Sequence, residues 1–212
     1  MIGNMRRLHR LSARLRKDRE GATMVEFALV APVFLLMLIG GFDLAHQSYV
    51  GMVLQGALND AARRAAVEDP QFIAAGDTLE ERVETLVKRQ VSRTAPNATI
   101  TITQENYFDF SGIGNPEKLM KDVDDDGVYD EADGDCFADL NENGQYDTDT
   151  GREGIGGAND VVLYEARLTM PRLLPLDSFL NVAPEVKLGA GAAIRNQPYA
   201  VQRTPPVVCG DA

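Results

Sequence analysis

Sixteen consecutive residues, Phe27 to Phe42 (FALVAPVFLLMLIGGF), carry no charge, and extended back to Ala22 the apolar run is 21 residues long with Glu26 its only interruption. A bilayer core of about 30 Å is crossed by roughly 20 apolar residues rising 1.5 Å each. The run therefore reads as a membrane-spanning helix. Seven of the 21 basic residues (Arg6, Arg7, Arg10, Arg14, Arg16, Lys17, Arg19) precede it within residues 1–21, against two acids, Asp18 and Glu20, a local charge of +5. The remainder holds 14 basic and 30 acidic residues, a charge of −16. The positive-inside bias places the basic end in the cytoplasm and the acidic body across the membrane. An acidic body also excludes nucleic acid as a partner, because neutralising phosphates takes clustered Lys and Arg.

Two other readings of the run fit less well. A secretory signal peptide has an apolar core of about 7–15 residues followed by a small-residue cleavage site. Gly40-Gly41 imitates such a site, but this core is longer and helical character continues beyond it. A buried helix of a soluble protein accounts for neither the length nor the flanking charge.

The front edge of the run, Arg19-Glu20-Gly21-Ala22-Thr23-Met24-Val25-Glu26-Phe27, is more specific. A glutamate one turn inside an apolar helix costs free energy in a membrane and marks a function or a partner. Taken alone it reads better as an acid reaching the interface from a helix N-terminus that favours negative charge. Its combination with a basic leader and with Gly21 five residues earlier resembles the prepilin-peptidase motif of type IV pilins. The run EGATMVEFALVAPVFLLMLIGGFDL is similar to the TadE-like family, minor pseudopilins of tight-adherence (Flp) pilus systems, at Gly21, Glu26, Phe27, Ala28, Leu29 and Pro32. The resemblance covers residues 16–66, about a quarter of the chain. It implies cleavage between Gly21 and Ala22 by a membrane aspartyl prepilin peptidase, and pairing of Glu26 with the Ala22 amine of a neighbouring subunit. Gly21 puts no side chain in the way of an aspartyl dyad and lets the backbone extend ahead of the helix. Pro32 removes a backbone donor and is expected to kink or loosen the helix.

Beyond Phe42 the helix is expected to continue, with Leu44, Val50, Val53, Leu54, Leu58, Ala61, Ala65 and Ala66 at near-helical intervals, Asp43 and His46 marking emergence into water, and Pro70 ending it. Ala22 to Val67 spans roughly 69 Å if unbroken, with Gly51 and Gly56 as places for a bend. Thr78 to Arg93 reads as an amphipathic helix with acids early and bases late, stopped by Pro96. Ala98 to Thr103 alternates in the β pattern and extends loosely to Phe110, and further strands fall at Val161 to Met170 and Val186 to Arg195. The fold class is thus α+β: a long N-terminal membrane-spanning helix continuing into a pilin-like head with a second helix and a small antiparallel sheet. The domain boundaries expected are a leader at 1–21, the helix at 22–67 and a periplasmic head at 68–212.

Two aspartate-rich runs interrupt the head. Asp122, Asp124, Asp126-Gly127 and Asp130 follow D-x-[DN]-x-[DN]-G-x-x-D, and so do Asp139, Asn141, Asn143-Gly144 and Asp147, starting 17 residues later. Alternate oxygen ligands followed by glycine let a chain wrap a hard cation, and calcium is the cation expected. Position twelve departs from an EF-hand, being Asp133 in the first loop and Thr150 in the second, and convincing flanking helices are missing. The loops resemble those of dockerin and thrombospondin repeats, and the alternative is a solvated acidic loop without metal. Cys136 lies between the loops and Cys209 near the C-terminus, a pair that an oxidising compartment permits to form a disulfide. Two histidines, His9 and His46, and no Cys/His cluster leave neither a catalytic triad nor a zinc site, so no enzymatic activity is expected.

The leading expectation is a minor pseudopilin acting in pilus assembly or cell adhesion. It is anchored once in the bacterial inner membrane with its C-terminal domain periplasmic. Its partners are prepilin peptidase, other pilins or pseudopilins, and the inner-membrane assembly machinery. The alternative is an uncleaved signal-anchored periplasmic module that binds a partner with calcium.

Overall fold

The computed structural model describes residues 20–70, 74–178 and 181–211. The basic leader as far as Arg19 lies outside them. Helix α1 runs Glu20–Ala65 and stays helical through Pro32, Gly51 and Gly56, so the glycines do not break it. It stops short of Pro70, at Ala65. The chain divides into two compact units, Met1–His46 and Gln47–Ala212.

In the first unit the stretch of α1 from Phe27 to Phe42 is apolar on every side. Met24, Val25, Phe27, Leu29, Val30, Val33, Phe34 and Met37 are all exposed, Phe27 at 71 %. Such a surface is unstable in water and is what a lipid-facing helix presents. Among the described residues this is the one helix long and apolar enough to cross a membrane. Asp43, read as a point of emergence into water, is instead buried.

The second unit is built on the remainder of α1. Val50, Leu54, Ala57, Leu58, Ala61 and Ala65 recur every three or four residues and are buried on one side of the helix. Helix α2, Leu79–Val91, buries Val83, Leu86, Val87 and Val91 in the same cluster. Its start is set locally by a capping box: Thr78 Oγ1 accepts from the Glu81 amide at 3.2 Å, and Glu81 Oε2 accepts from the Thr78 amide at 3.5 Å. Glu80 and Glu81 lie in the first turn and Lys88 and Arg89 in the last, complementing the helix dipole.

A four-stranded antiparallel sheet supplies the rest of this core. Its strands are β1 (Thr99–Tyr107), β4 (Arg152–Glu153), β5 (Val161–Pro171) and β6 (Glu185–Arg195), in the order β4-β1-β5-β6. Alternate residues of the sheet, among them Ile100, Val162, Tyr164, Ala166, Leu168, Met170, Val186 and Ala192, join the helical cluster. The strands expected from sequence are thus present, β1 reaching Tyr107. A second sheet was not expected. Strands β2 (Lys118–Lys121), β3 (Cys136–Ala138) and β7 (Val207–Cys209) pair antiparallel in the order β2-β3-β7. Each is too short to show a period in sequence.

Leu58 is fully buried between the helices and the sheet, so Leu58→Ala is expected to cost about 2–5 kcal/mol through lost burial and a residual cavity. Met52→Ala, on the exposed side of the same helix, should stay within about 0.5 kcal/mol. Thermal unfolding of the detergent-solubilised protein, followed by circular dichroism, measures both.

Candidate functional site

Two regions carry the residues singled out by sequence. At the N-terminal edge, Glu20 and Gly21 already belong to α1. Gly21 therefore sits within the first described turn, where the sequence reading had it ahead of the helix. Among the described residues nothing stands within 4 Å of where a Cβ on Gly21 would be. Glu26 follows in the next turn and is exposed, with the Phe27 ring exposed beside it.

The acidic loops occupy residues 122–133 and 139–150 on either side of β3. They are conformational copies. Position four of each is left-handed (Asp125 φ 60°, Glu142 φ 61°), and so is the glycine at position six (Gly127 φ 79°, Gly144 φ 79°). A positive φ at position six is the constraint that makes glycine part of the motif. The first carboxylate accepts from that glycine amide at 2.8 Å in both loops, Asp122 Oδ2 from Gly127 and Asp139 Oδ2 from Gly144. Asp124 Oδ1 then accepts from the Asp126 amide (3.3 Å) as Asn141 Oδ1 does from Asn143 (3.1 Å). Asp126 Oδ1 accepts from Val128 (2.8 Å) as Asn143 Oδ1 does from Gln145 (2.7 Å).

A buried carboxylate closes each loop, and neither was apparent in the sequence. Asp135, fully buried, accepts from the amides of Val123 (2.8 Å) and Asp130 (3.0 Å), positions two and nine of the first loop. Glu117, 2 % exposed, accepts from Leu140 (2.7 Å) and Asp147 (3.2 Å), the same positions of the second. The braces come from opposite sequence directions, so no spacing rule could have found them. Burial pushes the Glu117 carboxyl above its ordinary range, with repulsion from Asp139 adding to it, and the amide hydrogen bonds only partly offset this. Tyr129 and Tyr146, at position eight of each loop, stack at 4.6 Å, and both meet the edge of Phe137 at 5.0 and 5.5 Å. Their repeated position is the one sequence signal for this stack.

The loops differ in charge. Ligand atoms of Asp122, Asp124 and Asp126 lie within 4.8 Å of one another. The Asp126 amide hydrogen bond works to lower the Asp124 pKa, but desolvation and repulsion from Asp126, Asp133 and Asp122 outweigh it and hold it above the usual carboxylate range. Asp130 stands outside that group and caps the short turn Glu131–Asp133 through the Ala132 amide at 2.8 Å. In the second loop Asp147 Oδ2 accepts from the side-chain amides of Asn141 (2.8 Å) and Asn143 (2.5 Å), so this carboxylate already has hydrogen-bond partners within the loop. Thr150 is turned to the Gly112 carbonyl at 3.1 Å, and Asp139 is 2 % exposed.

Cys136 and Cys209 form a disulfide, directly opposite one another in the β3–β7 pair. The Gly210 amide on the Asp135 carbonyl (2.9 Å) and the Asp139 amide on the Pro206 carbonyl (2.9 Å) continue the pairing on both sides. The C-terminal strand is thereby stapled to the segment that joins the two loops.

Residues 21–63 match the family model described as TadE-like protein. The matched stretch begins at Gly21 and lies wholly within α1, so the likeness to TadE-like proteins, a pilus-associated structural family, is carried by the helix and does not extend to the sheets and loops of the head. No curated protein and no solved structure matches the chain.

Asp135→Asn replaces one acceptor oxygen with a donor facing a backbone amide. It is expected to destabilise the loop region by about 1–3 kcal/mol and to diminish the near-ultraviolet circular dichroism of the Tyr129–Tyr146 stack. With no tryptophan in the chain, that signal is not masked.

Proposed function

We propose that this chain is a minor pseudopilin of a tight-adherence (Flp, type IVb) pilus, cut between Gly21 and Ala22 by prepilin peptidase and acting in pilus assembly or adhesion. The observation that carries the reading is the TadE-like match beginning at Gly21, on a helix whose run from Ala22 to Phe42 is interrupted by charge only at Glu26. The chemistry follows from that arrangement. Cleavage creates an amine at Ala22, and Glu26 stands one turn further on. Where apolar helices gather and exclude water, a lone carboxylate is costly, so a Glu26 that meets the Ala22 amine of a neighbour favours one axial register over others. Because Gly21 lies within the helix, the peptidase must first unwind that turn, which glycine eases by about 1 kcal/mol relative to alanine.

The same reading gives the periplasmic head calcium as a structural ligand, with the first loop as its main site. Three carboxylates held within 4.8 Å repel one another, and a divalent cation relieves that repulsion. Asp122, Asp124 and Asp126 would hold it, with Asp130 and Asp133 adjoining. In the second loop Asp139, Asn141, Asn143 and Asp147 form the weaker site, since binding there must displace hydrogen bonds the loop already makes.

The intact mass of the protein, recovered from cells with and without prepilin peptidase, should differ by residues 1–21. An unchanged mass favours the second reading, an uncleaved membrane-anchored module that binds a periplasmic partner with calcium, for which the helical turn at Gly21 speaks. Glu26→Ala should insert normally yet reduce piliation seen by electron microscopy, and normal piliation removes the pairing role. Calcium at ten times its dissociation constant should stabilise the solubilised protein by about 1.4 kcal/mol, and Asp126→Asn should abolish most of that gain. A melting curve indifferent to both calcium and chelator returns the loops to solvated acidic turns.

A further inference from the structure

Strand β6 is an eleven-residue edge of the four-stranded sheet. The pairing fixes which of its backbone groups face outward. The Gly154 amide bonds to the Gln104 carbonyl at 2.9 Å on the β4 side of β1, so the even residues of β1 face β4 and the odd ones bond to β5. Carried across the sheet, the even residues of β6 bond to β5, consistent with the Asn196 amide on the Asp160 carbonyl at 2.8 Å. Glu185, Lys187, Gly189, Gly191, Ala193 and Arg195 therefore turn their amides and carbonyls outward. One of those groups has a partner within the head: the Gly191 carbonyl accepts from Gln55 Nε2 at 2.8 Å.

A long edge strand of this kind is a template for another strand. The sequence of β6, EVKLGAGAAIR, says which one. Turned end for end about Ala190, it sets Glu185 opposite Arg195, Lys187 opposite Ala193, Gly189 opposite Gly191, and Val186 opposite Ile194. Charges meet with opposite sign, and apolar residues meet on the face already packed on the core. A register shifted so that Gly191 lies on the axis sets Lys187 against Arg195, and one shifted to Gly189 leaves both Glu185 and Arg195 unmatched. Glu185 and Arg195 are both exposed. When Gln55 releases Gly191, its nitrogen keeps the second of its two acceptors, Asn59 Oδ1 at 3.2 Å.

We propose that β6 pairs antiparallel with β6 of a second copy of this chain, two-fold symmetric about Ala190, joining two four-stranded sheets into one of eight.

The full-length protein in its native membrane tests this by oxidative cross-linking. Across the axis Ala190 faces its own copy in a non-hydrogen-bonded pair, with Cα atoms about 4.5 Å apart, close enough for a disulfide. Ala190→Cys should yield a covalent dimer, whereas Lys187→Cys, six residues out of register and roughly 20 Å from its copy, should not. In the Ala190→Cys background, Glu185→Lys or Arg195→Glu each sets two like charges across the axis and should lower the yield about tenfold. Co-expressing those two variants creates mixed dimers in which both pairs are again opposite in sign, and the yield should recover. Gln55→Ala should raise it. An Ala190→Cys variant that stays monomeric while melting like the parent overturns the proposal. So does cross-linking equal at both positions, a yield indifferent to the charge reversals, or capture of a different protein at Ala190.

Discussion

The head depends on burying one side of α1. From Val50 to Ala65 that helix offers a strip of small and branched apolar residues, with alanine at positions 57, 61, 62 and 65. Small side chains let neighbouring elements approach closely, and α2 and the four-stranded sheet close over the strip in one continuous cluster. Loss of that burial would leave the sheet with an apolar face in water. Polar contacts then set positions that hydrophobic burial, being non-directional, leaves open. Gln90 reaches Asp60 between the two helices (3.3 Å), and Gln104 reaches the Glu80 carbonyl between sheet and α2 (3.2 Å).

The acidic region follows a different logic, because it has little apolar surface to bury. Its order comes from carboxylates that accept backbone amides, from three aromatic rings at the junction, and from one covalent bond. Asp135 and Glu117 act as cross-braces from outside the motif, while Cys136–Cys209 holds the strand between the loops. The two loops nevertheless have different electrostatic character. Three carboxylates cluster in the first, whereas two asparagines supply the second with internal donors. Equal backbones with unequal charge make one loop the stronger candidate for a metal and the other a largely self-sufficient turn.

Periodic elements were legible in advance because their signals are local. The uncharged run, the 3.6-residue spacing of α1, the acids-early, bases-late pattern of α2 and the strand pattern of β5 each depend on neighbours in sequence. The glycines at positions six of the loops were legible for the same reason. The three-stranded sheet was not, since β2, β3 and β7 hold three or four residues each and are strands only because they find one another. The buried braces were hidden by their sequence distance, with Glu117 22 residues ahead of the loop it closes and Asp135 behind its own.

Composition and patterning alone determined the apolar helix, the sharp change of charge beyond it, the Gly21 and Glu26 spacing, and the two repeated aspartate motifs, because each is a property of contiguous residues. Tertiary structure decided which carboxylates are structural and which remain available, that the cysteines face each other across β3 and β7, and that β6 lies at an edge with its outward groups nearly free. Those outcomes rest on strand order and burial. Both are set by how distant segments pack, and no local pattern specifies them.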